Sequence, residues 1–184
     1  MLSGMDQQPV CWQDDPILAA IFAYWDRKRA GRTMPARGDI DPVELGPKVL
    51  PHVLITEALN EQGRWRYRFR LAGTALKEAL GLDITGNYID VLNPNRRYAA
   101  YIENLYGKVM ETRRPVFSSS VAMTMDSRSR RTTCRLICPL SADGSMVNMF
   151  LCGQTFQSFG AEPVPTMTFA DRFNEGVVEV VEET

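Results

Sequence analysis

The side chains in this chain that could carry chemistry are spaced for recognition and not for catalysis. Four cysteines, Cys11, Cys134, Cys138 and Cys152, have no C-x-x-C spacing, and the single histidine, His52, cannot complete a Cys/His zinc cluster. There is no G-x-S-x-G elbow, no H-E-x-x-H pair and no Gly-rich phosphate loop, so the usual carriers of acyl transfer, metal hydrolysis and nucleotide chemistry are missing. The expectation is a protein that is not an enzyme. A small pocket enzyme built on a carboxylate and a tyrosine is the residual catalytic alternative. Recognition has better material: Tyr67, Tyr88, Tyr98 and Tyr101 offer hydroxyls on apolar rings, and Gln154 places an amide beside Gly153 in the middle of an apolar run.

Arginine is patterned in two places. In W-R-Y-R-F-R-L, strict alternation puts Trp65, Tyr67, Phe69 and Leu71 on one face of a strand, with Arg64, Arg66, Arg68 and Arg70 on the other. A charged row of this kind discourages stray pairing at a sheet edge, and Arg70 is the member proposed to reach an anionic ligand or an acidic partner. The second group, Arg128, Arg130, Arg131 and Arg135, surrounds the turn D-S-R-S-R-R and reads as a solvated loop, with contact to a nucleotide or acidic protein as the alternative. Cys134 and Cys138 share one face of their strand, and with Cys152 on its neighbour they read as small apolar side chains of the core.

The elements that must position these residues follow from pattern. A chain of 184 residues with 45% hydrophobic and 23% charged side chains suits one domain with appended ends. Lys and Arg (21) nearly balance Asp and Glu (22), which removes nucleic acid and anionic membrane as implied partners. No apolar run reaches the roughly 18 residues of a membrane span, and no basic-then-apolar leader opens the chain, so the expected location is the cytoplasm with reduced thiols. An acidic cap at Asp14 or Asp15, followed by Pro16, opens an amphipathic helix to Arg29 whose stripe, Ile17, Leu18, Ile21, Phe22 and Trp25, must cover either its own sheet or a second protomer. The expectation adopted is a homodimer interface. A hairpin of His52–Leu59 and Trp65–Leu71 follows, then helical pieces at Thr74–Leu80 and Leu82–Leu92, then a helix from Pro94 to Thr112 capped by Asn93. Strands at Val116–Met125, Thr132–Leu140 and Met146–Gln157 complete a five-stranded antiparallel sheet with helices on one face, an α+β fold. Residues 1–51 form a leader with helix and connector, 52–157 the domain, and 158–184 an acidic tail that docks or frays.

The order of these elements resembles a PAS domain. Gly81 and Gly86 in G-L-D-I-T-G-N-Y resemble the paired glycines of that family's helical crossover, and the following V-L-N-P resembles its hydrophobic-hydrophobic-x-Pro step. M-E-T-R-R-P-V-F resembles the family's long helix entering the third strand, and C-P-L-S-A-D-G-S-M-V-N-M-F-L-C-G-Q-T-F its closing hairpin. With its Y-W-D-R-K-R-A-G-R leader, the chain is further similar to stand-alone bacterial PAS proteins of unestablished role. The resemblance implies a cytoplasmic sensor or adaptor, without an output domain of its own, that binds a small molecule, a partner signalling protein, or both. A ligand-free interaction module is the alternative. It implies a pocket between sheet and helices, for which Tyr67, Phe69, Arg70, Tyr88, Tyr101, Cys138 and Gln154 are the candidate ligand-binding residues, with a volume of roughly 300 Å³ or more as in ordinary ligand sites. The cofactor is unidentified. Haem-binding members use a helical histidine and photoactive flavin members a cysteine in the crossover; His52 opens a strand and residues 73–112 hold no cysteine, so neither group is expected.

Overall fold

The computed structural model describes residues 11–93, 95–123, 130–159 and 173–182, and its first long element is the helix that the Asp-Pro pair predicts. In α1 (Pro16–Arg29) the Asp15 carboxylate accepts from the backbone N–H of Ile17 (2.9 Å) and Leu18 (3.2 Å), satisfying two of the donors a helix start leaves open. Short 3-10 turns and the one-turn α2 (Gly46–Val49) lead into β1 (Val53–Glu61) and β2 (Arg64–Ala72). After α3 (Thr74–Leu80), α4 (Ile89–Leu92) and α5 (Arg96–Thr112) come β3 (Val116–Met123), β4 (Arg130–Leu140), β5 (Met149–Phe159) and β6 (Phe173–Val180). All neighbouring strands are antiparallel, in the order β2-β1-β5-β4-β3-β6.

Several boundaries differ from the expected ones. The sheet has six strands instead of five, because part of the acidic tail pairs with β3 as β6. Its pattern explains this: Phe173 is buried against the rings of Tyr98 and Tyr101, while Glu175 and Glu179 stay exposed. Helix α5 is capped two residues later than expected, by Asn95, whose side chain accepts from Arg97 N–H (2.8 Å) and Tyr98 N–H (3.2 Å). Of the helical stretch expected at Leu82–Leu92 only Ile89–Leu92 is helix. The expected start of α5 at Pro94, the end of the third strand beyond Met123, Arg128 and the leader before Cys11 lie outside the described residues.

Strand alternation gives the sheet two apolar faces, each with its own cover. Helices α3 to α5 close one face over Leu54, Phe69, Ile137 and Phe150. Helix α1 closes the other over Val53, Ile55, Leu136 and Leu151. Of the stripe assigned to a dimer interface, Leu18 and Ile21 are 0% exposed and Trp25 1%, turned onto the chain's own sheet, while Ile17 and Phe22 are half-buried beside them. Trp25 Nε1 donates to the Pro139 carbonyl (2.7 Å), and Thr155 Oγ1 donates to the capping Asp15 carboxylate (2.6 Å), so polar bonds fix both ends of α1 on the sheet. Gly153 sets how close the helix lies. A Cβ there would stand 2.5 Å from Ile21 Cδ1 and 2.9 Å from Leu18 Cδ2, both of which are fully buried.

Removing the Ile21 side chain leaves a void between helix and sheet, and Ile21→Ala should cost about 2–5 kcal/mol. Gly153→Ala, which overfills the same contact, should cost about 1–3 kcal/mol. Guanidinium titrations check both; stability unchanged in Ile21→Ala would show that α1 does not carry the sheet.

Candidate functional site

The helical face of the sheet does not pack solid. A cavity of about 80 Å³ lies between the centre of the sheet and the chain from α3 to α5. Its floor comes from β1 (Leu54), β2 (Phe69), β4 (Arg135, Ile137) and β5 (Cys152, Gln154). Its roof comes from Leu80 at the end of α3, Leu82, Ile84, Ile89 and Leu92 through α4, and Tyr98, Ile102 and Tyr106 on α5. The roof is held down at the β2 edge, where Gly86 N–H donates to the Phe69 carbonyl (2.7 Å) and Phe69 N–H to the Asn87 carbonyl (3.0 Å). Gly86 makes that return at φ +84°, a conformation other residues adopt only with strain. A second cavity of about 20 Å³ shares Leu80, Tyr98, Arg135 and Gln154 with the first and extends toward Thr133 and Phe156.

Two of the candidate ligand residues, Phe69 and Gln154, line the cavity. The other five lie elsewhere, each for an identifiable reason. Cys138 faces α1, because on β4 it shares parity with Cys134, Leu136 and Leu140; Cys152 on β5 is the thiol that reaches the cavity. Tyr67 is buried behind the wall, stacked on Tyr106 (centroids 4.9 Å apart) with its hydroxyl on Met110 Sδ (3.5 Å). Tyr101 donates to the Ser119 carbonyl (3.4 Å) and borders an outer groove with Arg97 and Glu175. Arg70 is the unpaired residue of a register shift between β1 and β2, exposed and 3.7 Å from Glu57. The shift also breaks the alternation, sending Leu71 to the α1 face and Ala72 to the helical face. Tyr88 lies outside β2 under the Arg66 guanidinium (3.9 Å to the ring centroid) and donates to Glu61 (2.9 Å).

The arginine row on β2 is neutralised by acids. Arg66 reaches both Asp90 oxygens (3.1 and 3.0 Å) and Glu61 (2.9 Å), Arg64 lies within 3.7 Å of Asp90 and 3.5 Å of Glu103, and Arg68 pairs with Glu57. The second basic group differs from expectation. Arg131 and Arg135 are each only 6% exposed, since β4 is flanked by strands on both sides and the two lie four residues apart on its helical face. Arg135, read with its neighbours as a loop residue, lines the cavity instead. The signal was present in T-T-C-R-L-I-C-P-L, where the arginine stands inside an apolar strand beyond any turn.

Electrostatics in this interior disfavour charge. Burial pushes the thiols of Cys134 and Cys152 up to about 11 and about 12, raises Cys138 well above its ordinary value, and raises Tyr67 to about 12 with a contribution from Glu103. Burial lowers Arg131 to about 10, and the charge of Arg135 acts in the same direction. No activated nucleophile faces the cavity, and among the described residues no group of three His, Cys, Asp or Glu is placed to hold a metal ion. His52 stands outside the cavity lining with Nδ1 3.2 Å from the Gln154 carbonyl.

The shifted thiols fix a pH dependence. Unfolded thiols ionise near their ordinary 9.0 while the buried ones stay protonated, so the unfolded state binds fewer protons and stability falls as pH rises above 9. Each group contributes at most about 1.4 kcal/mol per pH unit. The Arg131 shift opposes this only above about 10. Chemical denaturation at pH 8, 9 and 10 should show a steady loss between the last two; a flat or rising curve would contradict the burial of the thiols.

A family model described as PAS domain matches residues 14–153, a span that includes α1 and ends on β5. No curated protein and no solved structure gave a match. No helix among the described residues is long and apolar enough to cross a membrane.

Proposed function

Because the chain belongs to the PAS domain family, a family of sensory and interaction modules, we propose that it senses a small molecule held between the sheet and α3 to α5 and relays occupancy to a partner protein. The observation that carries this reading is the cavity itself, which sits at the centre of the sheet with apolar walls and two polar side chains, Arg135 and Gln154, on its floor. Such an arrangement suits binding and orientation of a compact, partly apolar ligand. The roof supports the relay: α3 has seven residues and α4 four, so this cover can shift at lower cost than the seventeen-residue α5. A ligand that binds the shifted roof better would move the population toward it. The volume, about 80 Å³ against the roughly 150 Å³ of a dry cavity that admits benzene, favours a second reading in which the core stays closed and the protein works by surface contact alone.

A thermal-shift screen of metabolites separates the two readings. A ligand present at 100 times its dissociation constant should add about 2.7 kcal/mol of stability. Leu80→Phe, which fills the cavity from its rim, should cancel that gain while the protein stays folded. Stabilisation that survives Leu80→Phe places the ligand elsewhere, and a screen without hits favours the closed module.

A further inference from the structure

Taking the sensing cavity as its premise, we infer that the ligand is a small monocarboxylate with an apolar body, and that Arg135 is its anchor. Arg135 lies on the central strand β4, opposite Ser118 on β3 and Gln154 on β5, with its side chain on the helical face. Its guanidinium donates to Tyr98 hydroxyl (2.6 Å), Ser120 Oγ (2.9 Å) and the Thr133 carbonyl (3.5 Å), all of them neutral. No carboxylate of the described residues lies within ion-pair distance of it, although all four β2 arginines have one.

At neutral pH a guanidinium carries its charge, and burying a charge without a counter-ion is costly. With five N–H donors in a fixed fork, it can hold its neutral acceptors and still present donors to a carboxylate in its plane. The position suits that role, because Arg135 lines both the main cavity and the smaller one beside it, with Tyr98 and Gln154 at the same junction. Most of the remaining lining of the main cavity is hydrocarbon, Leu80, Ile84, Ile89, Ile102 and Ile137 among it, with the Asn93 amide just after α4 as a further polar group. A carboxylate at Arg135 with its chain under the roof satisfies both halves. Its volume requirement exceeds about 80 Å³ for all but the shortest chains, which ties binding to movement of Leu80 and Ile84. The negative charge thus arrives with the ligand, and the site is electrically complete only when occupied.

Butyrate, hexanoate and benzoate, each compared with its amide, test this by calorimetry and thermal shift on the full chain. The carboxylates should bind and the amides should bind at least roughly 10-fold more weakly, as expected when one charge-assisted hydrogen bond is lost. Arg135→Met should weaken the carboxylates by roughly 10- to 100-fold and leave the amides unchanged. Its own melting temperature should not fall, because the substitution deletes an uncompensated buried charge. Arg135→Gln provides the same comparison should Arg135→Met fail to fold. Amides that bind as well as their acids, or acids that bind both variants normally, overturn the assignment to Arg135 while leaving the sensing cavity in place. Failure of both series to bind overturns the carboxylate inference, and it leaves the cavity reading to the outcome of the broader screen.

Discussion

Strand β4 is buried from Arg131 to Leu140 on both of its faces, and most of the architecture follows from that constraint. With period two, its side chains divide between two cores that cannot exchange members. Cys134, Leu136, Cys138 and Leu140 go to the α1 side, and Arg131, Thr133, Arg135 and Ile137 to the helical side. Both sides must then be covered. The α1 side receives a close-fitting helix, made possible by Gly153 on the neighbouring strand. The other receives a segmented cover of short helices around polar residues, which leaves a cavity. One face is closely covered by α1, and the other keeps a cavity.

Much of this was legible in the sequence, and the parts that were not share a cause. The bounds of α1 follow from local chemistry, an acidic cap and Pro16 in the first turn, and they are the observed ones, with Asp15 rather than Asp14 as the cap. The hairpin of β1 and β2 and the strands β4 and β5 follow from β-branched and alternating runs, with ends displaced by no more than three residues. What a sequence cannot display is which of two faces an alternating set meets. The α1 stripe had two eligible covers, its own sheet or a second protomer, and pattern alone does not choose. Cys138 was placed at the cavity because its face depends on the register of β4 against β5, in which Ile137 and not Cys138 stands opposite Cys152. Arg70 was given a ligand role because a bulge, which has no signature in W-R-Y-R-F-R-L, is visible only in the pairing with β1.

The two sets of arginines show why residue type alone does not identify a site. Those on β2 are numerous, regular and eye-catching, yet Glu57, Glu61 and Asp90 hold them in place at the rim, where such pairs contribute little to stability. Arg135 is a single residue in an apolar strand, and its environment gives it weight: neutral acceptors, deep burial and a cavity beside it. The same low-dielectric interior that raises the thiols also makes an unmatched guanidinium a strong attractor for an anion. In the proposed reading, a ligand carboxylate would supply the counter-ion that Arg135 lacks among the described residues.

The most direct test is to locate a bound carboxylate by nuclear magnetic resonance. In a titration with hexanoate the account predicts the largest shifts at the Arg135 Nε–H and at the backbone amides of Leu80, Ile84, Ile137 and Gln154. The Trp25 indole N–H, which donates to Pro139 on the opposite face, should move least. Shifts centred on Trp25 and α1, with Arg135 and the roof unmoved, would contradict it.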